Sequence, residues 1–191
     1  MDANEIRIMP AEPSDIPAML EIYAYYVKNT AISFEYEVPD EAEFTRRFET
    51  VTAKYPFLAA KQDGKTVGYA YAHEFIARAA YRFSAESTIY IDKDHHRLGI
   101  GKMLYEELER LLVPLGITNL YACIGVPSED DGYLTHNSID FHRHIGFEQV
   151  GVFHNCGYKF GRWYDMVWAE KIIGEHAAEM REPIPFPQLR G

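Results

Sequence analysis

The sequence predicts a mixed α/β domain, and three observations support that class. The chain has 191 residues, of which 47% are apolar and 25% charged, as is usual for one globular domain with a substantial core. The predicted elements begin with a strand, two helices and an antiparallel pair of strands, so they do not form a regular βαβ array. That order argues against a dinucleotide-binding sheet, although a strand, a glycine turn and a helix do follow one another at residues 89–112.

The first part of the chain is predicted to form a short strand and two amphipathic helices. Residues 5–9 alternate in polarity as a strand does. Ser14 and Asp15 are candidates to cap the first helix, and Asp40 with Glu43 has the spacing of a capping box at the second. The apolar stripes are Ile16, Met19, Leu20, Tyr23 and Val27 in the first helix, and Phe44, Phe48 and Val51 in the second.

A hairpin, a further strand and a third helix are predicted next. Residues 57–61 and 66–73 are expected to pair through a turn at Asp63-Gly64, a dipeptide typical of tight hairpins. Residues 86–92 are rich in β-branched and aromatic types, which favours a strand. The helix that follows has the apolar face Ile100, Met103, Leu104, Leu108, Leu111, Leu112 and Leu115, and Gly116 is expected to close it.

The last part of the chain is predicted to complete the domain and to add a tail. We expect a strand at 117–126, an acidic loop at 127–136, a short helix capped by Asn137 and ending at Gly146, and strands at about 147–154 and 162–170. The expected domain covers residues 1–172, and residues 173–191, which contain three prolines, are expected to form an extended surface arm.

The composition excludes several classes of function. A net charge of −10 does not provide the basic face that a nucleic-acid binder needs. No apolar run approaches the ~20 residues of a membrane helix, and the first ten residues lack the apolar centre of a secretory signal, so we expect a cytoplasmic protein. Two cysteines, Cys123 and Cys156, are too few for a disulfide framework or a zinc site. They are expected to be buried free thiols, with a catalytic thiol as the alternative.

A candidate anion site lies at the start of the third helix. Gly99 and Gly101 allow a close approach of the backbone to a ligand and permit positive φ angles. The first turn of a helix carries unpaired N–H groups and partial positive charge, which together suit a pyrophosphate. The loop fits neither the Walker A pattern nor the dinucleotide G-x-G-x-x-G pattern. Its surroundings are locally basic on an acidic chain, with Lys93, His95, His96, Arg97 and Lys102 against Asp92 and Asp94.

The run His96-Arg97-Leu98-Gly99-Ile100-Gly101 resembles the Q/R-x-x-G-x-G/A signature of the GNAT superfamily of acyl-CoA-dependent N-acyltransferases, with His96 where Gln or Arg is usual. The segment from Asn137 to Phe147 resembles the late helix of that superfamily. Residues 30–34, 78–81, 86–91, 138–147 and 156–165 are similar to the phosphinothricin and amino-acid N-acetyltransferases in particular. The resemblance covers about residues 5–170, with a longer loop at 129–136. It implies a mostly antiparallel sheet of about six to seven strands, about four flanking helices and a homodimer.

The resemblance implies acetyl-CoA as co-substrate and no metal. The backbone of Ile89, Tyr90 and Ile91 would meet the pantetheine arm, and Asn137 would contact the coenzyme further along. The pyrophosphate would be held by Arg97, Leu98, Gly99, Ile100, Gly101 and Lys102. The alternative is an ordinary strand–turn–helix unit in which Asn137 is only a helix cap.

Two residues are candidates for proton transfer. Acylation needs a neutral amine, whereas amino groups are mostly protonated at pH 7, so a carboxylate has to remove a proton. The resemblance gives that task to Glu86, and it places His142 where the superfamily often has the Tyr that protonates the departing thiolate. The alternatives are an exposed glutamate at a strand end and a packed helical histidine.

The acceptor is expected to be a small amino acid or analogue. Arg78, Tyr81 and Arg82 precede Glu86, and an arginine pairs readily with a carboxylate, while Phe34 could pack on the acceptor's side chain. A polyamine is an alternative acceptor, because Glu129, Asp130 and Asp131 are acidic and could attract it, and a protein N-terminus is a further alternative. A non-catalytic acyl-CoA sensor is the alternative from another functional class.

Overall fold

The computed structural model describes residues 5–189; residues 1–4 of the expected domain and 190–191 of the expected tail lie outside that range. Its strands are β1 (Ile6–Pro10), β2 (Phe57–Gln62), β3 (Lys65–Glu74), β4 (Ser84–Ile91), β5 (Asn119–Val126), β6 (Glu148–Lys159) and β7 (Arg162–Ile172). They form one sheet in the order β1–β2–β3–β4–β5–β7–β6. The predicted fold class and its mostly antiparallel sheet are thereby confirmed.

Helices cover both faces of the sheet. They are α1 (Ile16–Asn29), α2 (Glu41–Thr52), α3 (Ile100–Leu112), α4 (Asn137–His144) and α5 (Phe186–Leu189). Side chains alternate between the two faces of a strand, so Phe57 and Tyr69 join an aromatic-rich cluster with α1 and α2. Their neighbours Leu58 and Ala70 join the larger cluster on the face of α3. None of the helices in the described part of the chain has the length and apolarity that a membrane crossing requires.

The two middle strands of the sheet separate from each other. All neighbouring strands are antiparallel except β4 and β5, whose parallel register runs from Ser84↔Asn119 to Glu86↔Tyr121. Beyond these positions β4 continues to pair with β3, and β5 continues to pair with β7. The second halves of β4 and β5 therefore border a cleft instead of each other.

The predicted hairpin and one of the predicted helix caps are present. Asp63 and Gly64 have φ angles of +50° and +78°, as a type I′ turn requires. The Asp40 carboxylate accepts a hydrogen bond of 2.7 Å from the Glu43 amide at the start of α2. The carboxylate of Glu43 pairs with Arg46 and Arg47 on its own helix.

Two other predicted caps are wrong. Asp15 precedes α1, but its backbone is already helical, and its carboxylate accepts from the Glu12 amide and pairs with Lys61 at 2.8 Å. Asn137 is the first residue of α4, and His136 occupies the capping position without a side-chain cap. In both cases the turn before the helix already has helical φ and ψ, so these side chains do not reach the orphan amides.

The segment after β7 crosses the surface and then returns to the core. The Ile173 amide donates to the Thr118 carbonyl, and the Ile184 amide donates to the Leu115 carbonyl. Phe186, which is 7% exposed, joins the cluster beneath α3, and its amide donates to the Lys54 carbonyl. The predicted extended arm is thus anchored to the domain.

Candidate active site

A cavity of about 280 Å³ lies where β4 and β5 separate. On the α1 side of the sheet it is bordered by the loop that follows α1. Its other walls come from both faces of the sheet: Glu86, Thr88, Cys123 and Met166 belong to the α1 side, and Ser87, Ile89, Ala122, Ile124, Tyr105 and His142 to the α3 side. The cleft therefore passes through the sheet, and groups approaching from opposite faces can meet in it.

The glycine turn leads from the end of β4 to the first turn of α3. Arg97 and Gly99 have φ angles of +64° and +79°, and a Cβ on Gly99 would meet nothing within 4 Å. Arg97, Leu98 and Lys102 are exposed around it. The positive φ values, the open space and the unpaired amides of the helical turn fit a diphosphate group.

Two residues of this turn have contacts inside the protein. Nε2 of His96 lies 2.8 Å from the Tyr26 hydroxyl and 3.3 Å from the Ile91 carbonyl, so it ties α1 to the end of β4. A Cβ on Gly101 would lie 2.8 Å from Cζ of Phe141 in α4. Gly101 therefore permits the close packing of α3 on α4, whatever it contributes to a ligand.

Glu86 lies at the last register pair that joins β4 to β5. Burial raises the pKa of its carboxyl group, and His73, which is opposite on β3 with its Nε2 at 3.9 Å, acts in the other direction. A carboxylate with a raised pKa is a better proton acceptor than one in water.

A chain of hydrogen bonds links His142 to the cleft. His142 is 4% exposed, and burial lowers the pKa of its imidazole to about 4, so the ring is neutral at pH 7. Its Nδ1 donates to the Ser138 carbonyl at 2.7 Å, which leaves Nε2 to accept from the Tyr105 hydroxyl at 2.8 Å. Ser87 lies 3.0 Å from the same hydroxyl. Tyr105 was not predicted as a site residue, because its position in α3 carries only the pattern of a helix.

The cysteine prediction is wrong in one respect, because both thiols are exposed. Cys123 can be reached from the cleft, but desolvation by its walls and the nearby Glu86 carboxylate raise the pKa of its thiol to about 12. A thiol in this state is not a nucleophile near neutrality.

The predicted acceptor residues are divided between two places. Phe34 lines the cleft, and its ring packs where Gly125 and Gly157 leave room for it. Arg78, Tyr81 and Arg82 are exposed in the β3–β4 connection and do not line the described cavity. Arg82 pairs with Glu182 of the tail at 2.8 Å. The exposed Asn137 also lies outside the cavity lining, whereas the predicted Ile89 and Tyr90 belong to it.

A second cavity of about 170 Å³ adjoins the first across Thr88 and Tyr90. Its walls are mainly aromatic, and Glu35 and Arg47, paired at 2.7 Å, also line it. Among residues 5–189, no group of three or more His, Cys, Asp and Glu side chains is arranged to hold a metal ion.

Comparisons with known proteins identify the family of the chain. The profile of the "Acetyltransferase (GNAT) domain" family matches residues 8–168. A phosphinothricin N-acetyltransferase of Streptomyces viridochromogenes is 32% identical over 188 residues, which is 98% of each chain. An L-methionine sulfoximine/L-methionine sulfone acetyltransferase of Salmonella typhimurium is 27% identical over 88% of this chain and 95% of its own. The crystal structure of a GNAT superfamily phosphinothricin acetyltransferase from Sinorhizobium meliloti, in complex with AcCoA, superposes with a TM-score of 0.85 at 35% identity, covering 94% of this chain and 95% of that one.

Proposed function

The chain belongs to the GNAT acetyltransferase family and is an acetyl-CoA-dependent acyltransferase, and from this premise we propose that it acetylates the amino group of a small amino acid or analogue. Phosphinothricin and methionine sulfoximine are the first acceptors to consider, since similar proteins are named as acetyltransferases of these compounds. The observation that carries the proposal is the cleft through the sheet, with Glu86 on one side and the glycine turn of α3 on the other.

The coenzyme side of the cleft is the α3 side. Acetyl-CoA, when bound, supplies an activated acetyl thioester. We assign its diphosphate to Arg97, Leu98, Gly99, Ile100, Gly101 and Lys102, with Asn137 further along. Past Glu86, β4 pairs only with β3, so backbone groups of Ile89, Tyr90 and Ile91 that face the cleft have no strand partner there. We assign to these groups the orientation of the pantetheine arm and donation to the developing oxyanion.

The acceptor side is the α1 side. Glu86 takes a proton from the substrate's ammonium group, and the neutral amine attacks the acetyl carbonyl directly, so the acyl group never resides on the protein. The high pKa of the Cys123 thiol agrees with a route that uses no cysteine thiolate of the protein as a nucleophile. Phe34 contacts the acceptor's side chain, and the second, aromatic cavity offers room for it.

The structure changes the role that we propose for His142. Because its ring is neutral and Nε2 accepts a hydrogen bond, His142 holds the Tyr105 hydroxyl at the cleft and is not a charged acid. The one proton of the Tyr105 hydroxyl is donated to His142, so Tyr105 is not a donor to the departing sulfur in this arrangement, and the thiolate released when the C–S bond breaks would take up the proton that the acylated nitrogen loses. The homodimer and the roles of Arg78, Tyr81 and Arg82 stay predictions.

The test is a thiol-release assay with acetyl-CoA and a panel of amines. We expect release with phosphinothricin, methionine sulfoximine or another amino acid, and none with spermidine or with peptides that offer only an N-terminus. Release with spermidine or peptides alone would move the assignment to a different acceptor class. Calorimetric binding of acetyl-CoA without release for any amine would instead indicate a sensor.

A further inference from the structure

Lys159, at the end of β6, is buried to an extent that is unusual for lysine, with 2% of its surface exposed. Its Nζ donates to three backbone carbonyls, those of Val27 at 2.8 Å, Thr30 at 2.9 Å and Ser33 at 2.6 Å. An ammonium group has three protons, so these bonds account for all of them.

The three carbonyls belong to one reversal of the chain. Val27 lies in the last turn of α1, and residues 30–33 turn the backbone away from the helix. Carbonyls at a helix C-terminus lack partners within the helix and carry partial negative charge. One ammonium group at the centre of the reversal therefore satisfies these carbonyls and fixes their relative positions.

That reversal builds the α1-side wall of the cleft. Ser33 and Phe34 line the cavity, and Ser33 is also held by a 2.9 Å hydrogen bond to the Tyr23 hydroxyl. The same end of β6 accommodates the Phe34 ring, because Gly157 has no Cβ to collide with it. The β6 strand thus contacts both the backbone and the ring of this segment.

Burying a lysine costs more desolvation free energy than burying an apolar side chain does. Burial lowers the pKa of Lys159, with Glu35 acting in the opposite direction, and an apolar side chain of similar length would avoid the desolvation cost. What the lysine provides, and an apolar residue would not, is a defined position for the three carbonyls.

We propose that Lys159 is a positioning residue for the amine acceptor, which holds residues 30–34 at a fixed distance from Glu86. The inference rests on the proposed function, since it takes the α1 side of the cleft as the acceptor site. It concerns affinity for the acceptor and leaves the coenzyme side unchanged.

Lys159→Met tests it, because methionine keeps the length and loses the three hydrogen bonds. We expect KM for the acceptor to rise about 10-fold or more, kcat to stay within about threefold, and Kd for acetyl-CoA to stay unchanged. Hydrogen exchange of residues 28–36 should become faster. The matched control is Lys61→Met. Lys61 lies on β2, away from both cavities, and pairs with the buried Asp15. It should cost stability without changing KM.

An unchanged KM and unchanged exchange in Lys159→Met would overturn the inference, as would an equal rise in KM in both lysine variants. If Lys159→Met does not fold, Lys159→Gln, which retains two N–H donors, is measured in the same way. KM for the acceptor and the exchange of residues 28–36 should then change in the same direction but by less, and no change in either would overturn the inference. The exchange measurement also separates the two proposals. If the wild-type chain acetylates no amino acid, the proposed function fails, whereas the exchange of residues 28–36 still shows whether Lys159 holds this segment in place.

Discussion

At the scale of single residues, the protonation states follow from where each side chain is buried. Glu86 has its pKa raised and His142 has its pKa lowered to about 4, both through loss of solvent. The shift on Glu86 makes its carboxylate a stronger base than that of an exposed glutamate. The shift on His142 leaves it an uncharged acceptor for Tyr105.

Glu86→Gln should lower kcat/KM at pH 7 by roughly 10²–10⁴-fold, because it removes the proton acceptor and keeps the shape. The deficit should shrink as the pH rises toward the amine's own pKa, where free amine becomes abundant. In the wild-type enzyme, activity should fall as the pH drops through the raised pKa of Glu86. The measurement is a pH profile of both proteins, with acetyl-CoA binding as the control. Equal profiles would remove Glu86 from this role.

Sequence reasoning placed Glu86, Ile89 and Tyr90 at the cleft, and the structure explains what it missed. Tyr105 joins the site through a hydrogen bond to a residue 37 positions away. Arg82 is committed to Glu182, which only the course of the tail brings near. Pairings of this kind depend on tertiary packing, which local patterns do not contain.

At the scale of the elements, the fit between β6 and the loop after α1 is very tight. A Cβ on Gly157 would lie 2.3 Å from the ring of Phe34, so Gly157→Ala must displace that ring. We expect a loss of about 1–3 kcal/mol in the free energy of unfolding and a higher KM for the acceptor. Denaturant unfolding and steady-state kinetics measure these quantities.

Gly151→Ala on the same strand is the control, because a Cβ at Gly151 would meet nothing within 4 Å. It should leave the acceptor KM unchanged. A Gly157→Ala protein that matched it in both measurements would show that the ring moves at no cost.

Periodicity placed most elements within a few residues, and it failed where distant contacts decide. The strand predicted to end at 154 runs on to Lys159. It turns at Phe160-Gly161, where both φ angles are positive and the Phe160 ring stacks on Tyr133 at 4.3 Å. A phenylalanine in a left-handed turn gives no turn signal in the sequence, since its position depends on a partner in the 127–136 loop.

At the scale of the whole molecule, the tail contributes to the core. Phe186→Ala should lower the free energy of unfolding by about 3 kcal/mol, because the ring is buried in the main cluster. Ile184→Ala, at a 40% exposed position of the same segment, should change it by less than about 1 kcal/mol. Thermal or denaturant unfolding compares the two variants. Equal, small effects of the two substitutions would mean that the tail does not contribute to the stability of the core.

The class of fold was predictable from element order and from the resemblance around residues 96–101. The separation of β4 from β5 was not, because it depends on strands that are distant along the chain and share only a short parallel register. The site exists because of that separation, so its shape had to come from the structure.

A cleft with walls from both faces of a sheet has a kinetic consequence. On the proposed function, the coenzyme approaches the cleft from the α3 side of the sheet and the small acceptor approaches from the α1 side. We therefore expect no compulsory order of binding between the two substrates.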